Sequence, residues 1–134
     1  MALHTELDVT IGVYADSTKG TQKFGLSLDS KILNNLVLEA SARMKLVASA
    51  SDEVVSLQSV TNGQLILLKC ESEFTVKING AGNPAITLKP LTNSETSVKT
   101  PAFLAMLADG ITSLHLGNPS SSEPIEVDVG IAGS

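Results

Sequence analysis

The chain has no tryptophan, one cysteine (Cys70) and four aromatic side chains, Tyr14, Phe24, Phe74 and Phe103, among 134 residues. A lone cysteine excludes an intramolecular disulfide, so stability must come from an aliphatic core of Leu, Val and Ile, for which a chain of this length suffices. Cys70 sits in an apolar run and reads as a small buried hydrophobe rather than a reactive thiol. So few rings count against carbohydrate-stacking platforms and single-strand nucleic-acid platforms, which use exposed aromatics. Positive charge is also scarce. Arg43 is the one arginine and the formal net charge is −5, which speaks against a phosphate-binding surface. No apolar run approaches membrane-spanning length, and no secretory apolar stretch precedes the first expected strand. The expectation is a soluble, acidic chain with residues 1–5 as an N-terminal arm and residues 6–134 as a single β-sandwich domain.

What the sequence does contain is alternation. Its best-specified stretch runs from Gln58 to Gly80. Asn62-Gly63 and Asn79-Gly80 are residue pairs that suit a two-residue type I′ turn, whose central residues need positive φ. Between them, Leu65 and Leu67 point one way while Ile66, Leu68 and Cys70 point the other. A strand apolar on both faces predicts a central strand covered on both sides. After the polar break Glu71-Ser72-Glu73, Phe74, Val76 and Ile78 alternate with Thr75, Lys77 and Asn79, as in a strand with one wet face. Leu65 to Leu68, Phe74, Val76 and Ile78 are therefore expected in the core.

Elsewhere, Leu7, Val9, Ile11 and Val13 alternate along the first strand, and Phe24, Leu26 and Leu28 along the second, with a polar loop at Ala15–Thr21 between them. Asp29–Leu46 is ambiguous. Asp29 or Ser30 could cap a helix carrying Ile32, Leu33, Leu36 and Val37, but Asn34-Asn35 weakens that reading, which favours a turn or helical loop followed by extended chain. Met44, Leu46 and Ala48 suit a strand, as does Glu53–Val60. Ala81-Gly82-Asn83-Pro84 predicts a wide loop, because Pro84 removes a donor. Ile86–Leu88 is a short strand, Leu91–Thr100 a polar loop, and Asp109-Gly110 a third hairpin signal leading into Ile111–Leu116. Ile125, Val127, Val129 and Ile131 share one face of the last strand. Some nine or ten short strands, with turn signals at sandwich-like spacing, predict an all-β antiparallel β-sandwich of jelly-roll or Greek-key type.

Reactive chemistry is hard to find. His4 and His115 have no carboxylate or cysteine at ligand spacing, so no zinc site is expected. Nothing singles out a nucleophilic serine. Glu71 and Glu73 bracket Ser72, and Glu126 and Asp128 share a face, but both pairs suit solvated surfaces better than acid–base work. The loops are too poor in acids for calcium. No catalytic, cofactor-binding or metal-binding residue is assigned, and no enzyme is expected.

Two features stand out. Charged residues make up 17% of the chain against about 25% in typical proteins, with Ser, Thr and Asn in their place, which suits a protein embedded in an assembly. Ala102-Phe103-Leu104-Ala105-Met106-Leu107 is apolar on both faces, which fits core better than subunit contact.

The order Leu65-Ile66-Leu67-Leu68, Phe74-Thr75-Val76-Lys77-Ile78-Asn79-Gly80, Ala102-Phe103-Leu104 and Ile111-Thr112-Ser113-Leu114-His115-Leu116-Gly117-Asn118-Pro119 resembles small virion structural proteins of tailed bacteriophages, of the head decoration or cement kind. It covers roughly Thr61 to Ile131. The resemblance implies a non-enzymatic capsid decoration protein with a jelly-roll-like fold, a homo-oligomer (commonly a trimer), a major capsid protein or other virion protein as partner, and a place on the capsid surface, with neither nucleic acid nor membrane bound. The alternative is a ligand- or carbohydrate-binding sandwich module of a tail fibre or secreted protein, for which only Tyr14 offers a candidate exposed ring.

Overall fold

Alternating apolar residues, interrupted by Gly, Asn, Pro and Ser, make extended backbone the only regular structure in the chain's described part. In the computed structural model the backbone is described for residues 6–14, 20–32 and 38–134, and the side chains for 20–22 and 40–134. The chain divides into two compact units, Met1–Leu36 and Val37–Ser134.

The first unit is a two-stranded antiparallel ribbon of β1 (Glu6–Tyr14) and β2 (Gln22–Ile32). Its register pairs Val9 with Leu28, Ile11 with Leu26 and Val13 with Phe24, so the two alternating apolar sets lie at matched positions. The backbone at Asp29–Ile32 is strand, where the sequence left a helical turn open. Its alternation with Leu26 and Leu28 outweighs the capping signal. The rest of that expectation, at Leu33–Val37, lies outside the described residues, as do the arm at 1–5 and the loop at 15–19.

The second unit contains β3 (Leu38–Leu46), β4 (Glu53–Val54), β5 (Gly63–Cys70), β6 (Phe74–Ile78), β7 (Ile86–Leu88), β8 (Leu91–Thr92), β9 (Lys99–Thr100), β10 (Ala102–Ile111), β11 (Leu114–Gly117) and β12 (Ile125–Gly133). Two antiparallel four-stranded sheets form, in the orders β10-β5-β12-β3 and β4-β11-β6-β7, and β8 and β9 make a separate small hairpin. Leaving that hairpin aside, the first strand pairs with the last, β3 with β12. The second pairs with the seventh, β4 with β11. The third pairs with the sixth, β5 with β10. The two in the middle, β6 and β7, pair with each other. This is a β-sandwich: Leu46, Ile66, Leu68 and Val127 from one sheet and Phe74, Val76, Leu114 and Leu116 from the other are buried in one shared cluster. The last strand buries Ile125, Val127, Val129 and Ile131, as its alternation predicts.

Asparagines hold the corners of the sandwich. Asn118 is 2% exposed. Its side-chain amide donates to the carbonyls of Leu46 (3.3 Å), Val47 (3.1 Å) and Glu123 (2.8 Å), and its Oδ1 accepts from the Ser120 N–H (3.0 Å). The side chain thus ties the end of β3 to the loop before β12. Asn79, at φ 60°, donates to the Gly110 carbonyl at 2.8 Å and accepts from the Thr112 N–H at 2.7 Å. Asn62 accepts from the Gly110 N–H at 2.7 Å and donates to Asp109 at 2.8 Å. The β10–β11 corner is therefore clamped from two sides.

These contacts revise the reading of the turn pairs. Asn62-Gly63 opens β5 after a crossing from the other sheet, and Asp109-Gly110 ends β10 just before the chain crosses to β11. Neither joins paired strands, so neither is a hairpin turn. Asn79-Gly80 does lie between the partners β6 and β7, but in the wide loop expected from Pro84. The polar stretch Leu91–Thr100 holds the β8–β9 hairpin, because the Asn93 side chain accepts from the Glu95 and Thr96 N–H groups and closes a turn. Only Glu53 and Val54 of Glu53–Val60 are strand, since Gln58 takes a φ of 51°.

Candidate functional site

The outward face of the β10-β5-β12-β3 sheet is where chemistry departs from an ordinary solvated surface. Strand parity sends Ile66, Leu68 and Cys70 of β5 inward and Leu65, Leu67 and Lys69 outward. On β10, Ala102, Leu104 and Met106 turn toward the core, leaving Phe103, Ala105 and Leu107 outside. Register then assembles rows across the sheet. Leu107, Leu65 and Ala132 form one, Ala105, Leu67, Gly130 and Ser41 the next, and Phe103, Lys69, Asp128 and Arg43 the third. Leu67 is 46% exposed, Leu107 53% and Phe103 60%.

The expectation that β5 is covered on both sides is therefore corrected. Ile66, Leu68, Phe74 and Val76 are buried, whereas Leu67 is exposed and Leu65 and Ile78 are half-buried. The core reading of Ala102–Leu107 holds only for alternate residues.

The face has relief. A hollow of about 370 Å³ is lined by Leu67, Lys69, Phe103, Ala105, Asp128 and Gly130. It exists because Gly130 has no side chain at the middle of β12: a Cβ there would meet only the Leu67 Cβ, at 3.7 Å. Phe103 stands as a ridge between this hollow and a second one of about 220 Å³ lined by Leu88, Leu91, Pro101 and Phe103. At the polar end, Arg43 donates to Asp128 at 2.7 Å and lies 3.7 Å from Glu126. The hydrogen bond to Asp128, with the field of both carboxylates, raises the pKa of the guanidinium further.

The residues considered for reactive chemistry are not brought together. His115 lies between Val54 and Lys77 on the other sheet, and its Nδ1 is buried with no hydrogen-bond partner among the described residues. Lys77 is instead committed to Asp52 at 2.7 Å and to the Ala81 carbonyl at 2.9 Å. Glu73 pairs with Lys89 at 3.3 Å while Glu71 points into solvent. Cys70 is buried, as read, and burial pushes its thiol pKa up, away from the reactive thiolate. Among the described residues no three His, Cys, Asp or Glu side chains cluster to hold a metal ion. His4 and the Tyr14 side chain lie outside the described residues.

Sequence reasoning missed Leu67 and Gly130 as surface residues, and for Phe103 and Leu107 it ranked subunit contact behind core. The available signal was the double apolar face of two runs, Leu65–Leu68 and Ala102–Leu107. Comparison with protein-family models, with curated proteins and with solved structures returns no match.

Proposed function

We propose that this chain is a non-enzymatic structural module that works as a homo-oligomer on a repetitive protein surface. The setting is the one the sequence resemblance names, the outside of a phage head, which the module decorates and reinforces. The observation that carries this reading is the uncovered apolar face of Leu65, Leu67, Phe103, Ala105 and Leu107. Water contact with such a face is unfavourable by roughly 25 cal/mol per Å², and contiguous exposed apolar surface on a sheet marks an interaction site. The nested pairing of the second unit, β3 with β12, β4 with β11 and β5 with β10, is compatible with a jelly-roll winding, which recurs in capsid and lectin domains and so supports the setting without fixing it. The apolar face joins copies to one another. The segment at residues 1–5, the polar segment at 15–21 and the β8–β9 hairpin contact the shell protein, each weakly, and many symmetric copies add up to firm attachment.

The test is sedimentation of the full chain alone and with phage heads lacking their decoration. The expected result is an oligomer that co-sediments with heads and raises their resistance to heat. A strictly monomeric chain with no affinity for heads would overturn the reading. The second reading, a ligand-binding module, now rests on Phe103, an exposed ring between two hollows, rather than on Tyr14. Binding of a small glycan that is lost on Phe103→Ala would favour it.

A further inference from the structure

We propose that the outer face of the β10-β5-β12-β3 sheet is a two-fold contact between two copies of this chain, with Phe103 of each copy seated in the hollow over Gly130 of the other. The proposal rests on the homo-oligomer reading above and names its geometry. A ridge and a hollow on one face make that face self-complementary, which is what an isologous contact requires. Phe103 and Gly130 lie two strands apart, on β10 and β12, in neighbouring outward rows. A two-fold axis lying between two such faces, over β5 between Leu67 and Lys69, exchanges the two positions and brings each phenyl ring over the other copy's hollow.

The same axis does two further things. With strands ~4.8 Å apart and ~3.3 Å of rise per residue, it places Lys69 of each copy within a few ångströms of Asp128 of the other. Opposite charges thus meet at the polar end without any rearrangement of the Arg43–Asp128 pair. It also sets Leu67 against the partner's Ala105 and Leu67, closing the apolar rows. Strands β3 and β12 are nine residues long, so a four-stranded face covers roughly 550 Å². The axis runs obliquely to the strands, so roughly 400 Å² of each face overlaps, about 800 Å² in all, the size of a weak, reversible contact.

A three-fold ring, which the sequence resemblance implies, would need two different patches per copy, whereas this face meets itself. The assembly should therefore contain an even number of copies.

Analytical ultracentrifugation of the full chain tests this with three variants. Gly130→Leu fills the hollow, and the monomer tolerates it because a Cβ at 130 makes only an ordinary contact with Leu67. Phe103→Ala removes the ridge, and the third variant combines the two substitutions. The expected result is a wild-type dimer, or an even multiple of it, with a dissociation constant raised at least tenfold by either single change. The combination should associate more tightly than Gly130→Leu alone, since the new leucine then faces the space the ring has left. Far-UV circular dichroism confirms that each variant is folded. An odd-numbered assembly would overturn the two-fold. So would an unchanged mass for Gly130→Leu when Phe103→Ala dissociates the protein, although the face itself would then stand as the contact. A monomeric wild type that binds heads only through Phe103 would make the shell protein the occupant, refuting this proposal and not the structural role. A monomer that binds nothing would refute both.

Discussion

Replacing Asn118 should unfold the sandwich more readily than any other single polar change among the described residues. It is the one polar residue buried as a whole there, and it joins the end of β3, some seventy residues back, to its own loop through Ser120 and to the approach to β12. Asn118→Ala removes the donors to Leu46, Val47 and Glu123 and the acceptor of the Ser120 N–H. Each hydrogen bond contributes about 1 kcal/mol net, and a buried carbonyl left without a donor costs about 1–3 kcal/mol. Water reaches the part-buried groups at Val47 and Glu123, which brings the expected loss to about 3–4 kcal/mol, or roughly 10 °C in Tm. Urea unfolding followed by far-UV circular dichroism measures it, because the chain has no tryptophan to report. Asn118→Asp separates hydrogen bonding from packing. The new carboxylate keeps the shape but turns acceptors toward three carbonyl oxygens, so its folded-state pKa is raised. The unfolded state then loses its proton first, near pH ~3.9, and the deficit relative to wild type is smallest below that pH, where the single O–H still donates to one carbonyl, and grows as pH rises toward the folded-state pKa. A loss below about 1 kcal/mol for Asn118→Ala, or a pH-independent deficit for Asn118→Asp, would refute the account.

Phe74→Ala should cost about 3–5 kcal/mol in the same urea assay, since the ring is fully buried between the sheets. Gly133→Ala should be destabilising although β12 is otherwise regular, because the new Cβ would collide with the Asn62 carbonyl oxygen, and differential scanning calorimetry should show the drop in Tm. Asp109 titrates below the usual carboxylate range because the Asn62 amide donates to it. Its stabilising contribution is present above the unfolded-state pKa and is lost as pH falls through the lowered folded-state value. In Asn62→Ala the Asp109 carboxyl should move back up, which carbon-detected NMR titration reads directly. Leu67→Ser should change the stability of the isolated monomer by less than about 1 kcal/mol, because Leu67 is 46% exposed there.

The parts of the fold visible in the sequence are those where alternation has one wet face. Phe74 and Val76 on β6 and Ile125 to Ile131 on β12 were assigned to the correct side because their neighbours are polar, and one-residue slips of register would have placed Thr75 or Glu126 in the core. The corners were legible as breaks but not as geometry. Asn-Gly and Asp-Gly pairs signal that φ can become positive, as it does at Asn79, Gly80 and Gly110. They cannot say whether the chain then returns to its neighbour or crosses to the opposite sheet, and at Asn62 and Asp109 the side chains serve as clamps on a crossing. Asn118 gave no signal beyond its place before Pro119, since its partners are backbone carbonyls that any sequence would supply.

The exposed apolar face failed to show for a deeper reason. A run such as Leu65–Leu68 states that both sides of a strand leave water, and nothing in apolar transfer free energy depends on which chain supplies the cover. In a monomeric reading the second face must be core, so Leu67 and Phe103 were placed there. In a protein that functions as an assembly the same residues belong to an interface, and their periodicity is identical. What distinguishes the two cases is the companion row. Gly130 and Ala105, opposite and beside Leu67, leave the face too shallow in the middle to be filled by its own neighbours. A core position of that shape would be a void that destabilises the fold, whereas on an outer face it is a seat. The small residues of the companion strands, more than the leucines themselves, are what separates this exposed face from a core.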